Sequence, residues 1–167
     1  MALPIYLKII DETGKHLEGS VKAKGLEGCI ELISFEHRVS RPTDGNTGKL
    51  TGERVHDPIK FVKELDRSSV YLDRAAGSGR SWQQATFDFQ QVRPDGEIEV
   101  YFSMVLKDVK VVSVTKQMLD IKDPENKAYK HLEEVELRYE EITWDYKDGN
   151  HVHTDNWETR PIVAAAG

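Results

Sequence analysis

Apolar and polar residues change places at every second position over much of this chain, which is the period of strands with one buried face. Tyr6 to Ile10 predicts a first strand, and Glu12-Thr13-Gly14-Lys15 predicts a turn back toward Gly19 to Ala23. A third strand is expected from about Cys29 to Val39, and Ile59 to Leu65 is strand-like. Apolar residues near the start of the third fall on both faces, so that end is expected to be covered twice. Thr86 to Val92, Arg93-Pro94-Asp95-Gly96 and Glu97 to Leu106 form a hairpin signal, with Ile98, Val100, Phe102, Met104 and Leu106 on one face. Val109 to Val114 continues in β-branched residues but out of phase, which predicts a bend or bulge near Lys107-Asp108.

The last long strand carries the same signature. Val135, Leu137 and Tyr139 share one parity and Ile142, Trp144 and Tyr146 the other. Keeping all six on one face requires an inserted residue, so a β-bulge is expected near Glu140-Glu141. Lys147 to Asn150 then predicts a turn into His151 to Asp155. One segment has helical spacing: Ser68 or Ser69 as cap, Tyr71, Leu72, Ala75 and Ala76 on one side, and Gly77 just past the end. Thr115 to Lys130, with Asp123-Pro124, reads as a loop. Pro42 to His56 is a second and longer loop, and its length between two strand-like runs calls for a reason, since connections beyond about 12 residues are usually functional or disordered.

These elements predict a mainly β fold, with one domain over residues 1–160 and a frayed tail over 161–167. A chain of 167 residues buries about two thirds of its unfolded surface, so no second domain is required. No apolar run approaches the roughly 20 residues of a membrane span, and the start Met1-Ala2-Leu3-Pro4-Ile5 lacks the pattern of a secretory signal. No membrane insertion is expected, and any export would follow a signal-free route. The net charge of -6 argues against nucleic acid as a partner. Cys29 is the single cysteine, which excludes an intrachain disulfide and fits a buried strand residue.

The candidate chemistry is sparse. His151 and His153 lie two apart on one strand face and could share a metal with His131 or Asp155, the basis of an alternative reading as a metal-dependent β-barrel enzyme. No second tight ligand pair supports it, so metal, cofactor and catalytic residues are all expected to be none. Glu133, Glu134, Glu136, Glu140 and Glu141 could contain an acid/base pair, but most alternate with apolar residues as a solvated or interface face would. Gly48-Lys49 is followed by Leu50, so the phosphate-loop order is missing. Trp82, Trp144 and Trp157 fit core and interface anchors better than a stacking platform.

Pro42-Thr43-Asp44, then Asn46-Thr47-Gly48-Lys49-Leu50-Thr51-Gly52, Arg54 and His56-Asp57-Pro58, together with Val135 to Tyr139 running on to Gly149-Asn150, resemble the haemolysin-coregulated protein (Hcp) family of bacterial type VI secretion. The similarity extends from Leu3 to about Trp157. It implies a compact β-barrel of two packed sheets with one short helix at its side and a long extended loop. It also implies a structural tube subunit, not an enzyme: homohexameric rings stacked head-to-tail inside a contractile sheath, beneath a trimeric spike and on a baseplate. Such a tube would wait in the bacterial cytoplasm, be fired outward when the sheath shortens, and carry small effector proteins in its lumen. The resemblance places the loop residues Pro42, Thr43, Asp44, Asn46, Thr47, Gly48, Lys49, Leu50, Gly52, Arg54 and His56 at the contact between rings. Glu134, Glu136, Arg138 and Glu140 are expected on a subunit-interface strand. Arg38 to Arg54 carries about +2 and Glu133 to Asp148 about -5, so these regions are expected to meet between subunits.

Overall fold

The computed structural model of the chain describes residues 1–157; the tail expected over 161–167 lies outside the described residues. Strands β1 (Tyr6–Ile10), β2 (His16–Leu17), β3 (Ile30–Glu31), β4 (Ser34–Glu36), β5 (Val39–Ser40), β6 (Val55–His56) and β7 (Ile59–Glu64) lead into helix α1 (Ser68–Ser78). Strands β8 (Trp82–Val92), β9 (Ile98–Gln117), β10 (Leu132–Arg138), β11 (Glu141–Tyr146) and β12 (His151–Asn156) follow. A single 3-10 turn, Pro124–Asn126, interrupts the loop before β10.

The 20-residue β9 belongs to two layers. Its first half pairs with β8 and β11 and its second half with β10. The change of phase seen in the sequence is a corner. Asp108 takes φ 53°, and inward burial passes from Met104 and Leu106 to Val109 and Val111. The partner strand turns at the same rung, from Val135, Leu137 and Tyr139 to Ile142. The expected bulge is therefore a break: β10 ends at Arg138 and β11 begins at Glu141, with the Glu140 N–H donating to the Lys107 carbonyl at 3.1 Å. Because both strands change parity together, their mutual register is kept through the corner, from Leu137 opposite Val111 to Glu141 opposite Lys107.

The two layers enclose one core that joins Leu7, Ile9, Phe87 and Leu106 to Ile59, Phe61, Val135 and Leu137. The hydrogen-bonded sheet is not closed into a barrel. The segment expected as one strand from Cys29 to Val39 is three fragments, because it crosses the gap between β1 and β7: the Leu32 N–H reaches the Ile5 carbonyl and the Ile33 N–H the Val62 carbonyl, 3.0 and 2.8 Å. Phe35 on this crossing meets Phe87 and Phe89 edge-on at 5.3 and 5.4 Å, which fills the seam.

Helix α1 is longer than its sequence stripe implies. The Asp66 carboxylate, not a serine, caps its start by accepting the Ser68 N–H at 2.8 Å. Gly79 at φ 69°, not Gly77, ends it, its N–H donating to the Ala75 carbonyl at 3.0 Å. The buried side is Ser68, Ser69, Leu72 and Ala75, while Tyr71 and Ala76 are exposed. Among the described residues no helix is long and apolar enough to cross a membrane.

Candidate assembly arm and its anchoring cluster

The loop from Pro42 to His56 is a projecting arm with a ladder of its own. β5 pairs with β6, Thr43 bridges Leu50, and the Thr51 N–H reaches the Pro42 carbonyl at 2.9 Å. Asp44 builds the tip. Its carboxylate accepts the Asn46 and Thr47 N–H groups, each at 2.8 Å, and these donors hold it below the usual carboxylate range. Its own N–H pairs with the Lys49 carbonyl at 2.7 Å, and the Gly48 N–H returns to its carbonyl. The two legs touch, because a Cβ on Gly52 would lie 3.2 Å from Pro42 Cγ. The arm is thus ordered by local hydrogen bonds, while Thr43, Asn46, Thr47, Lys49 and Leu50 stand in solvent and Leu50 is 63% exposed.

The base of the arm is as buried as its tip is open. His56 is 1% exposed, wedged beneath Trp144 and Trp157 with ring centres 6.3 and 5.2 Å away. Its Nε2 lies 2.8 Å from Asp155 Oδ2 and its Nδ1 lies 2.6 Å from the Tyr139 hydroxyl. His37 Nε2 reaches the same hydroxyl at 2.7 Å from the other leg. A carboxylate only accepts, so His56 donates from Nε2 to Asp155, while the Tyr139 hydroxyl bridges His56 Nδ1 and His37 Nε2, donating to one ring and accepting from the other. Arg54 completes the cluster, donating from Nε to Asp155 Oδ2 at 2.5 Å and from Nη2 to the Asn156 carbonyl at 2.8 Å. Arg138 reaches the His56 carbonyl from β10.

The electrostatics follow from this packing. Burial, with His56 beside it, lowers His37 to about 4 from its ordinary 6.5. Burial raises the Tyr139 hydroxyl, and the Asp155 charge adds to that. Burial also pushes the Asp155 carboxyl up, but hydrogen bonds from Arg54 and His56 and their charge outweigh it, leaving the group below its usual range. The Asp–His–Tyr chain resembles a proton relay in its connectivity, yet its interior atoms are enclosed by protein on both sides.

A second buried polar cluster roots α1. Lys63 and Glu133 are both 0% exposed, with Nζ 2.5 Å from Oε1. Ser69 donates to the same oxygen at 2.6 Å, and Lys63 also reaches Asp66 at 3.0 Å and the Glu64 carbonyl at 2.9 Å. Glu133 Oε2 has no hydrogen bond, and Lys116 lies 3.7 Å from it.

The structure separates the other residues singled out by the sequence. Glu133, grouped in the sequence with the acids of a solvated or interface face, is fully buried instead. Glu134 and Glu136 stay half-exposed and approach Lys60 at 3.9 and 3.5 Å, Glu141 faces Lys107, and Asp145 faces Lys147. Much of the acidic run is thus matched within its own chain, as Arg54 is by Asp155. The histidines proposed as metal ligands are dispersed: His153 stacks on Trp144 at 5.6 Å, His151 lies against Tyr146, Asp155 is engaged by Arg54 and His56, and His131 sits before β10. Among the described residues no group of three or more His, Cys, Asp or Glu side chains could hold a metal. His37, Tyr139, Lys63 and Ser69 were not anticipated. Lys63 shares the inward parity of Ile59 and Phe61, and Glu133 that of Val135 and Leu137, so opposite charges at inward positions of two strands were a usable signal.

Two buried polar clusters thus fasten a projecting arm and a helix to a mainly β scaffold. Residues 6–146 match the family described as type VI secretion system effector, Hcp, and the chain belongs to that family, whose members are secreted structural proteins. It is 30% identical to the major exported protein of Pseudomonas aeruginosa, over 95% of this chain and 98% of that one. Hcp1 from E. coli EAEC 042 superposes with TM-score 0.84 at 45% identity, covering 93% of this chain and 99% of that one. Another Hcp crystal structure superposes with TM-score 0.86 over 96% and 100%, and at 21% identity it speaks to the fold alone.

Proposed function

We propose that this chain is the subunit of a type VI secretion inner tube, closing into rings of six that stack head-to-tail. The exposed arm carries this reading: a long polar hairpin is held rigidly at its root by a buried cluster, and that expenditure of buried polar groups on a projection makes sense when the projection meets another subunit. The family match over residues 6–146 supports the same role. In this reading Pro42 to Gly52 forms the contact between rings, and Arg54 and His56 set the angle of the arm. Glu134, Glu136, Arg138 and Glu140, on the outward side of β10 and its corner, serve the contact between neighbours in a ring. The tube assembles in the cytoplasm, engages sheath, spike and baseplate, shelters small effector proteins in its lumen, and leaves the cell when the sheath contracts. It performs no catalysis.

Native mass spectrometry tests ring closure, with six copies of a 19.0 kDa chain giving about 114 kDa. A strictly monomeric mass at micromolar concentration and low salt would overturn it. Shortening Gly45 to Thr51 is expected to spare the ring and abolish stacking, read as loss of crosslinked ladders between cysteine pairs placed across the ring junction. Collapse of the shortened protein to monomers would assign the arm to ring closure instead.

A further inference from the structure

We propose that the groove between α1 and the β1–β2 turn is a docking site for an acidic peptide segment of another protein, a surface separate from the arm. Its volume is about 430 Å³, enough for a few residues of extended chain. Leu17, Ala75 and Trp82 form a buried apolar floor, being 6%, 4% and 3% exposed, and Tyr71 stands on the helix side at 41%.

Both walls are fixed before anything binds. Asp11 staples the β1–β2 turn by accepting from the Thr13 N–H, the Thr13 hydroxyl and the Lys15 N–H at 2.7 to 2.9 Å. Gln83 on β8 ties that turn down through the Glu12 carbonyl at 3.3 Å. On the other side the left-handed Gly79 ends α1 and turns the chain so that Arg80 returns to the groove. A preformed site loses little freedom on binding.

The rim is cationic in excess. Arg67, Arg74, Arg80 and Lys15 line it against Glu12, Glu18 and Asp11. Asp11 is committed to its own turn. Glu12 is shared by Arg74 at 3.9 Å and Arg80 at 3.5 Å, and Glu18 approaches Arg67 at 3.5 Å. These are long contacts, and the three arginine side chains remain 64 to 65% exposed, so most of their N–H donors face solvent. Planar guanidinium forks at these positions match carboxylates, and the apolar floor accepts an aliphatic side chain between them. The chain carries net charge -6, so a cationic groove stands apart from its overall field and attracts a partner of opposite sign locally.

The test uses the full chain with Ser78, on the groove wall, changed to cysteine and labelled with an environment-sensitive dye; Cys29 is 1% exposed and stays unlabelled. The probe is an acidic peptide of alternating Glu and Leu, with a Lys-Leu peptide of equal length as control. The acidic peptide is expected to saturate the dye signal, to weaken with added salt, and to bind at least about tenfold more tightly than the basic one. Charge reversal by Arg74→Glu with Arg80→Glu is expected to weaken it at least about tenfold, while Arg93→Glu, on the β8–β9 turn, changes it less than twofold. Circular dichroism and ring mass of each variant keep folding separate from binding, and an intact ring without peptide binding rejects this site while leaving the tube reading in place. Equal binding of both peptides, insensitivity to the Arg74/Arg80 reversal, or a dye signal that shifts with protein concentration alone, which would place a second copy in the groove, overturns the proposal.

Discussion

At the start of β7 the arm is rooted in a polar cluster walled by aromatic rings, and at its end α1 is rooted in an ion pair sealed from water. Asp155 and Arg54 keep side-chain exposures of 18% and 15%, whereas Lys63 and Glu133 have none. The histidines and Tyr139 between them pass hydrogen bonds toward Asp155, so the arm cluster needs only one carboxylate to satisfy five side chains. The α1 cluster concentrates two full charges in the core and leaves Glu133 Oε2 without a hydrogen bond. The difference teaches that one problem, attaching a peripheral element to a sheet, has a cheap solution near the rim and a brittle one in the interior.

The largest expected effect comes from breaking the sealed pair on one side. Glu133→Gln leaves buried Lys63 with Asp66 as its remaining carboxylate partner, at a cost of about 3 kcal/mol read by urea unfolding at fixed protein concentration. The double change Lys63→Met with Glu133→Leu is expected to regain most of that, since replacing both charges removes the desolvation cost. If the double variant is no better than the single, the pair contributes more than its desolvation consumes.

Asp155→Asn addresses the rim cluster. It removes the charge that Arg54 and His56 share, for an expected loss of about 1–3 kcal/mol. Because that loss falls on the root of the arm, trypsin cleavage at Lys49 and Arg54 is expected to speed up before global unfolding changes. Unchanged arm proteolysis would show that the backbone ladder holds the arm without the cluster.

Acid should distinguish the two roots by a smaller margin. The folded chain holds His37 near 4 against its ordinary 6.5, so between these values the unfolded chain binds more protons and stability falls as pH falls. Allowing for partial exposure of the ring, the loss from pH 7 to pH 4 is about 1–2 kcal/mol. Asp155 acts in the same direction below that window: its carboxyl is held under the usual range, so its contribution is present above about 3.9 and is lost as pH drops through the folded value. His37→Gln keeps a hydrogen-bond partner for Tyr139 and should flatten the slope between 6.5 and 4, checked by denaturation midpoints across pH. The smallest effect belongs to Gly79→Ala, where a φ of 69° suits glycine and costs alanine about 1 kcal/mol. A much larger loss would mean that the cap of α1, and not the Lys63–Glu133 pair, holds it in place.

Local alternation determined much of this protein. Period two marked β1, β7, β8 and the long β9, and the phase changes at Lys107-Asp108 and Glu140-Glu141 were each legible as local irregularities, which only the structure joined into one corner. The Pro42 to His56 motifs and the Val135 to Asn150 run carried the family, because those side-chain patterns are contiguous. Contacts between distant residues were settled only in three dimensions. The segment from Cys29 to Val39 has strand propensity throughout, and it breaks because its successive hydrogen-bonding partners, Ile5 and Val62, belong to different layers. His37, Arg54, His56, Tyr139 and Asp155 come from both ends of an arm, a corner and a late strand, more than a hundred positions apart at the extremes. The burial of Lys63 and Glu133 depended on two strands presenting inward positions side by side beneath a helix. Spacing along one chain encodes which face a residue takes, but the identity of its neighbour is fixed by the register between strands, and that is a tertiary quantity.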